Sequence, residues 1–313
     1  MHSQEPQCAG AVFMVHPVRF GFNPETAPSN AFQRPPANGV PDWYTTDIEH
    51  EFAALVTTLR GAGVRVIVGE DTPSPVKPDA IFPNNWVSFH HDGTVVLYPM
   101  LAPNRRLERR DELLEEVRRA GPYRVTRTID LRGHESRAKY LEGTGSLVLD
   151  RGAHIAYACL SPRTDLDVLG DFAQQLDYEL VTFEALDGQG RAIYHTNVAM
   201  AVGSRWAVVC AAAIHAPERR AAVIAKLRET GHEIVEISLE QMQRFAGNVL
   251  ELAGAQGPVI ALSTTAWAAL LPAQRQVLER YAQVLRVEVP TIERVGGGGV
   301  RCMLAEIHLP ARD

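Results

Sequence analysis

The sequence predicts an α/β chain built as a closed ring of five ββαβ units, a five-bladed propeller with pseudo-five-fold symmetry. Three observations carry that prediction. Short runs rich in Val, Ile, Leu or Ala alternate with stretches of helical amphipathic spacing along the 313 residues. Four runs share one local grammar, a small polar residue heading an apolar segment, at Asn85, Ser146, Asn197 and Asn248. A fifth head, Cys302, stands near the carboxyl end, and the successive spacings are 61, 51, 51 and 54 residues. Self-similarity of this kind marks a repeat architecture.

In chain order, the first β-like run is Ala11–Val15, followed by Val64–Val68. Asn85–Phe89 and Val95–Tyr98 then precede an amphipathic helix over Arg106–Arg119. Ser146–Leu149 and Ile155–Cys159 precede a helix over Asp165–Leu176. Asn197–Ala201 and Ala207–Cys210 lead into Pro217–Thr230, and Asn248–Leu252 and Val259–Leu262 into Pro272–Val284 and the run Leu285–Val289. Pro217 and Pro272 fall where a first helical turn tolerates proline. Cys302–Ile307 lacks a following partner, so Ala11–Val15 is expected to complete its unit and close the ring. The whole chain, 1–313, is then one catalytic domain, with polar residues 1–10 expected as a flexible tail.

Composition narrows the function classes. With 46% apolar and 22% charged residues, the chain can bury a core. Thirty-one Lys and Arg against 37 Asp and Glu give a net charge of −6, which argues against a nucleic-acid partner. No stretch has the length of a membrane span, and Met1–Gly10 carries no signal-peptide core. Cys8, Cys159, Cys210 and Cys302 are too scattered for a disulfide framework. These features lead to an expectation of a cytoplasmic protein acting on a small molecule, with no membrane partner; a homo-oligomer is compatible with the chain. No metal motif or nucleotide-binding glycine pattern is present, so no cofactor is expected.

A ring of equivalent units brings the strand heads Asn85, Ser146, Asn197, Asn248 and Cys302 to one axis. Cys302 follows Gly296-Gly297-Gly298-Gly299-Val300-Arg301. Such a glycine run suits a loop pressed against a ligand, with backbone N–H groups near Gly299 placed to hold an oxyanion. Arg301 is placed to favour the thiolate, the nucleophilic form of cysteine. A cysteine nucleophile needs a base, and that base needs orienting. His195 lies just ahead of the Asn197 head, and Glu142, in Leu141-Glu142-Gly143, just ahead of Ser146. His90, His91, His154, His215 and His232 read as solvated surface residues.

These elements resemble the guanidine-modifying, or pentein, superfamily. The likeness rests on Leu141-Glu142-Gly143, His195-Thr196-Asn197 and the glycine run into Arg301-Cys302-Met303, in the family's order. Phe13–Gln33 and Phe82-Pro83-Asn84-Asn85-Trp86 look most like citrulline-utilisation hydrolases, related to arginine deiminases and amidinotransferases. The resemblance implies a five-bladed ββαβ propeller with Cys302 as nucleophile, His195 as acid/base and Glu142 as its partner. Arginine deiminases carry aspartates where this chain has Asn85 and Asn197. An amide complements a neutral ureido group but cannot neutralise a guanidinium.

The expectation is therefore hydrolysis of citrulline to ornithine, ammonia and carbon dioxide, with Asn85, Asn197, Asn84 and Asp79 at the substrate. Asp79 tempers the choice, because it supplies a nearby carboxylate. Arg105 and Arg106 are candidates for the substrate carboxylate, and Asn23–Gln33 for a lid. The alternatives are a hydrolase or amidinotransferase acting on arginine or an N-substituted arginine, and a non-catalytic pentein-fold binding protein.

Overall fold

The computed structural model describes residues 5–35 and 46–312. It contains fifteen strands among the described residues, grouped as five three-stranded sheets. One sheet joins β1 (Ala11–His16), β2 (Arg65–Glu70) and the carboxyl-terminal β15 (Ala305–Glu306). The next two comprise β3 (Val87–Phe89), β4 (Thr94–Leu97) and β5 (Arg127–Asp130), then β6 (Leu147–Asp150), β7 (Ile155–Cys159) and β8 (Glu179–Phe183). The last two comprise β9 (Met200–Val202), β10 (Trp206–Val209) and β11 (Glu233–Glu236), then β12 (Leu250–Gly254), β13 (Gly257–Ser263) and β14 (Gln283–Val287).

Every sheet repeats one topology, an antiparallel pair followed by a helical crossover to a parallel third strand. Ring closure is as expected: Phe13 pairs with Ala305 and Val12 with Glu306, so the two ends of the chain share a blade. The chain is a five-bladed propeller.

The strands read as apolar runs because both of their faces are covered. Val12 and Met14 pack toward Ala261 and Leu285 of the β12–β14 blade, whereas Phe13 and Val15 pack toward Val87 and Val95 on the other side. Val96 in turn faces Leu147 and Ala156 of the following blade. Alternate side chains thus tie each blade to both neighbours, each buried Val or Leu contributing about 1.5–3 kcal/mol.

Several boundaries differ from expectation, among them the helix expected over Pro272–Val284, which ends at Tyr281 and gives way to β14. The helix expected over Arg106–Arg119 is a short turn, Pro103–Arg106, followed by a separate helix, Asp111–Ala120. The amino-terminal segment is no tail where it is described. Gln7 Nε2 donates to the carbonyls of Leu149 and Val202 at 2.9 and 3.0 Å, its Oε1 accepts the Arg151 N–H, and Glu5 pairs with Arg151. Residues 1–4 of the expected tail lie outside the described residues. No helix among the described residues is long and apolar enough to cross a membrane.

Candidate active site

The expected strand heads lie in the turns that feed the first strand of each blade. Asn85 ends the short helical turn Pro83–Asn85, Ser146 ends Gly143–Ser146, Asn197 lies within Thr196–Ala199, and Cys302 lies within Val300–Met303. These turns meet at the axis and bond to one another. Thr196 Oγ1 donates to the Ser146 carbonyl, Asn197 Nδ2 to Thr144 O, and Asn248 Nδ2 to Asn197 O. Asn84 Nδ2 donates to the Cys302 carbonyl.

Cys302, His195, Asn85, Asp79 and Arg105 line one narrow cavity, with Phe82, Gly296 and Gly298 on its walls. Glu142 Oε2 lies 2.8 Å from His195 Nε2, and both residues are almost wholly buried. Burial alone would raise the Glu142 carboxyl, but Arg163, His195 and Arg105 overcome it and hold the group well below the usual carboxylate range. An ionised carboxylate only accepts, so Nε2 carries the imidazole proton and Nδ1 bears the lone pair. Burial pushes the His195 pKa down to about 4, against the pull of Glu142, so the imidazole is neutral at pH 7.

The Cys302 thiol is pushed up by burial, opposed by the Asn248 amide, the charge of Arg301, the Gly299 backbone and Asn197. Its own N–H donates to Gly299 O at 3.1 Å, so that amide is committed within the loop and is not an oxyanion donor. Asn248 Nδ2 stands 3.1 Å from Cys302 Sγ, and Asn197 Oδ1 stands 3.8 Å from it.

The other expected substrate contacts divide. Arg105 and Asp79 face the cavity. Arg105 donates to Asn85 Oδ1 at 2.9 Å, pairs with Glu108 at 2.9 Å, and lies 3.7 Å from Asp79. Burial opposes its charge, but Glu108, Asp79 and Glu142 hold it protonated. Asp79 Oδ2 accepts from Asn23 Nδ2 and Thr26 Oγ1, while its Oδ1 is buried without a partner. Desolvation raises its carboxyl.

Arg106 does not reach the cavity. Its guanidinium donates to Met100 O and Leu101 O, lies 3.6 Å from Glu135 and stacks over Tyr140. Adjacent residues of a helical turn point about 100° apart, so only one of the two arginines can face inward. Arg301 also turns away, to Leu304 O and Glu306. Its charge still acts on the sulfur, but it is no substrate contact. Asn84 and Asn197 support the Cys302 turn instead of lining the cavity. Gly299 acts through its backbone alone.

Sequence reasoning missed Arg163 and Tyr194, both on the cavity wall, where Asn30 of the expected lid joins them. Arg163 Nη1 lies 3.3 Å from Glu142 Oε2, its guanidinium stacks over Tyr194, and it donates to Ser29 Oγ and Thr26 O. The Asn23–Gln33 segment packs against residues of the cavity wall, tied down by Arg163, by Asp79, and by Asn30 donating to Gly296 O. His90 and His232, expected at the surface, are buried; His90 bonds to Ser88, and His232 lies 3.0 Å from Gly203 O. No group of three or more His, Cys, Asp or Glu able to hold a metal occurs among the described residues.

Residues 16–309 match the family model for N,N dimethylarginine dimethylhydrolase, eukaryotic. No curated protein sequence matches the chain. Among solved structures, the N-terminal domain of ArgZ covalently bound to a reaction intermediate superposes with a TM-score of 0.72 at 16% identity, over 96% of this chain and 99% of that one. Whole ArgZ, an arginine dihydrolase from the ornithine-ammonia cycle in cyanobacteria, gives 0.73 at 16% identity over 96% of this chain and 41% of that one. This chain thus spans less than half of that protein. A cysteine-to-serine mutant of DDAH from Pseudomonas aeruginosa, complexed with citrulline, gives 0.64 at 16% identity over 96% of this chain and all of that one. At these identities the likeness is one of fold.

Proposed function

The chain belongs to the N,N dimethylarginine dimethylhydrolase family, of pentein-superfamily cysteine hydrolases, and we propose that it opens the ureido carbon–nitrogen bond of citrulline. Residues 1–313 act as one catalytic unit. Cys302 attacks the ureido carbon as its proton passes to His195 Nδ1. The imidazolium, charge-stabilised by Glu142, returns that proton to the departing amine. A neutral His195 then takes a proton from water, and the hydroxide displaces Cys302 from the carbonyl adduct. The carbamate released from Cys302 then breaks down, so the products are ornithine, ammonia and carbon dioxide.

One observation carries this reading: His195, bonded to Glu142 behind it, shares a cavity with a sulfur whose polar side-chain neighbours are amides, Asn248 and Asn197. Such surroundings favour an uncharged reacting group, because an unpaired buried cation costs several kcal/mol. The charged residues suit the zwitterionic end of an amino acid. Asp79 Oδ1 is open to an ammonium, and Arg105 and Arg163 supply positive charge for a carboxylate.

A guanidino substrate, arginine or an N-methylated arginine, is the second reading. The family match favours it, and so does the unpartnered Asp79 Oδ1, which equally suits a guanidinium. Incubation with citrulline, arginine and dimethylarginine, followed by assay of ornithine and citrulline, separates the two. Ornithine from citrulline supports the first; turnover of arginines with none of citrulline overturns it.

A further inference from the structure

Cys302 is clamped by asparagines from both neighbouring blades. Asn84 holds its carbonyl, and Asn248 reaches its sulfur. We propose that Asn248 is a catalytic residue, whose side-chain N–H donates to Cys302 Sγ and stabilises the thiolate. The inference rests on Cys302 being the nucleophile, as in the reading above.

The orientation of the Asn248 amide follows from its partners. Its Oδ1 accepts the backbone N–H of Arg301 at 3.0 Å, and an amide nitrogen could not take that place. Nδ2 is therefore turned to the sulfur at 3.1 Å, sharing its second proton with Asn197 O at 3.2 Å. Close approach at this point needs glycine, since a Cβ on residue 299 would stand 2.8 Å from Asn248 Oδ1. One of the four consecutive glycines is thereby explained.

The usual thiolate stabilisers are engaged elsewhere. The Arg301 guanidinium is bonded to Leu304 O and Glu306, and His195 is bonded through Nε2 to Glu142. A developing negative charge on sulfur thus meets a neutral donor already in position, and hydrogen bonds to charged acceptors are the strong ones. Asn248 stands at the equivalent position in its blade to Asn85, Asn197 and Cys302 in theirs, so the repeat itself sets the nucleophile beside its donor.

The test is the pH profile of Cys302 alkylation by iodoacetamide in the free enzyme, with the modified peptide identified by mass. Asn248→Asp keeps an oxygen for the Arg301 N–H and places a carboxylate at the sulfur. Asn248→Ala removes the donor together with the acceptor of the Arg301 N–H. Both should move the inflection to higher pH, Asn248→Asp the further, and slow alkylation at neutral pH by roughly tenfold or more. A profile coincident with wild type in either folded variant overturns the proposal. No substrate enters this experiment, so a wrong assignment of citrulline leaves its outcome unchanged.

Discussion

Glu142 Oε2 lies 2.8 Å from His195 Nε2, a contact between residues 53 apart that joins the turns feeding β6 and β9. The same oxygen also faces Arg163 Nη1 at 3.3 Å. Glu142→Gln therefore removes both the charge that stabilises the imidazolium and the counter-charge of a buried guanidinium. Turnover should fall by about 10²-fold or more, and stability by roughly 3 kcal/mol. Steady-state kinetics beside urea denaturation reads both; a variant with normal kcat contradicts the acid/base assignment.

Acid should weaken the fold through this pair. His195 titrates at about 4 in the folded chain against an ordinary value of 6.5, so between those values the unfolded chain binds more protons. Stability from this residue is full above about pH 6.5 and is lost as pH falls toward 4. Glu142, held below its ordinary 4.5, adds stability that is present above that value and lost as pH falls through its lowered folded-state pKa. Urea midpoints should drop across this range for wild type and less steeply for His195→Gln. Parallel slopes for the two proteins count against a neutral buried imidazole.

Arg105 and Arg106 should behave as opposites. Arg105→Ala strands Glu108, Asp79 and Glu142 in a buried site, costing roughly 3–5 kcal/mol and abolishing turnover. Arg106→Ala loses carbonyl contacts and a partly exposed ion pair, with a cost of about 1 kcal/mol and no change in KM. A raised KM in Arg106→Ala would place its guanidinium at the substrate after all.

The ring was legible because its cause is local. Strands covered on both faces must be apolar throughout, and a recurring polar head marks where each turn meets the axis. The same logic located Glu142, His195 and Cys302. Arg163 escaped because it lies after the second strand of its blade, off the head positions, and its partners Thr26 and Ser29 are more than 130 residues distant. Asn197 was misjudged for a different reason. Position at the axis does not fix which way a side chain points, and its amide carbonyl supports the Cys302 turn from outside the cavity. The amino-terminal segment looked like a tail because Gln7 has no local partner; its acceptors are Leu149 and Val202.

Gly145 offers a steric test of the same centre. A Cβ there would stand 2.4 Å from Asn85 Nδ2 and 2.7 Å from His195 Nδ1. Gly145→Ala should destabilise by roughly 1–3 kcal/mol and suppress turnover, because the imidazole must shift. Gly133→Ala, whose Cβ meets nothing within 4 Å, is the control and should retain full activity. Equal activities in the two variants would show that the imidazole does not depend on this fit.

Covalent capture probes the nucleophile itself. Enzyme quenched during turnover of citrulline labelled with carbon-13 in its ureido group, then digested and weighed, should carry the label on the Cys302 peptide. The Cys302→Ala protein should carry none and release no ornithine. Label on another residue, or ornithine formed at the wild-type rate by Cys302→Ala, would contradict the account.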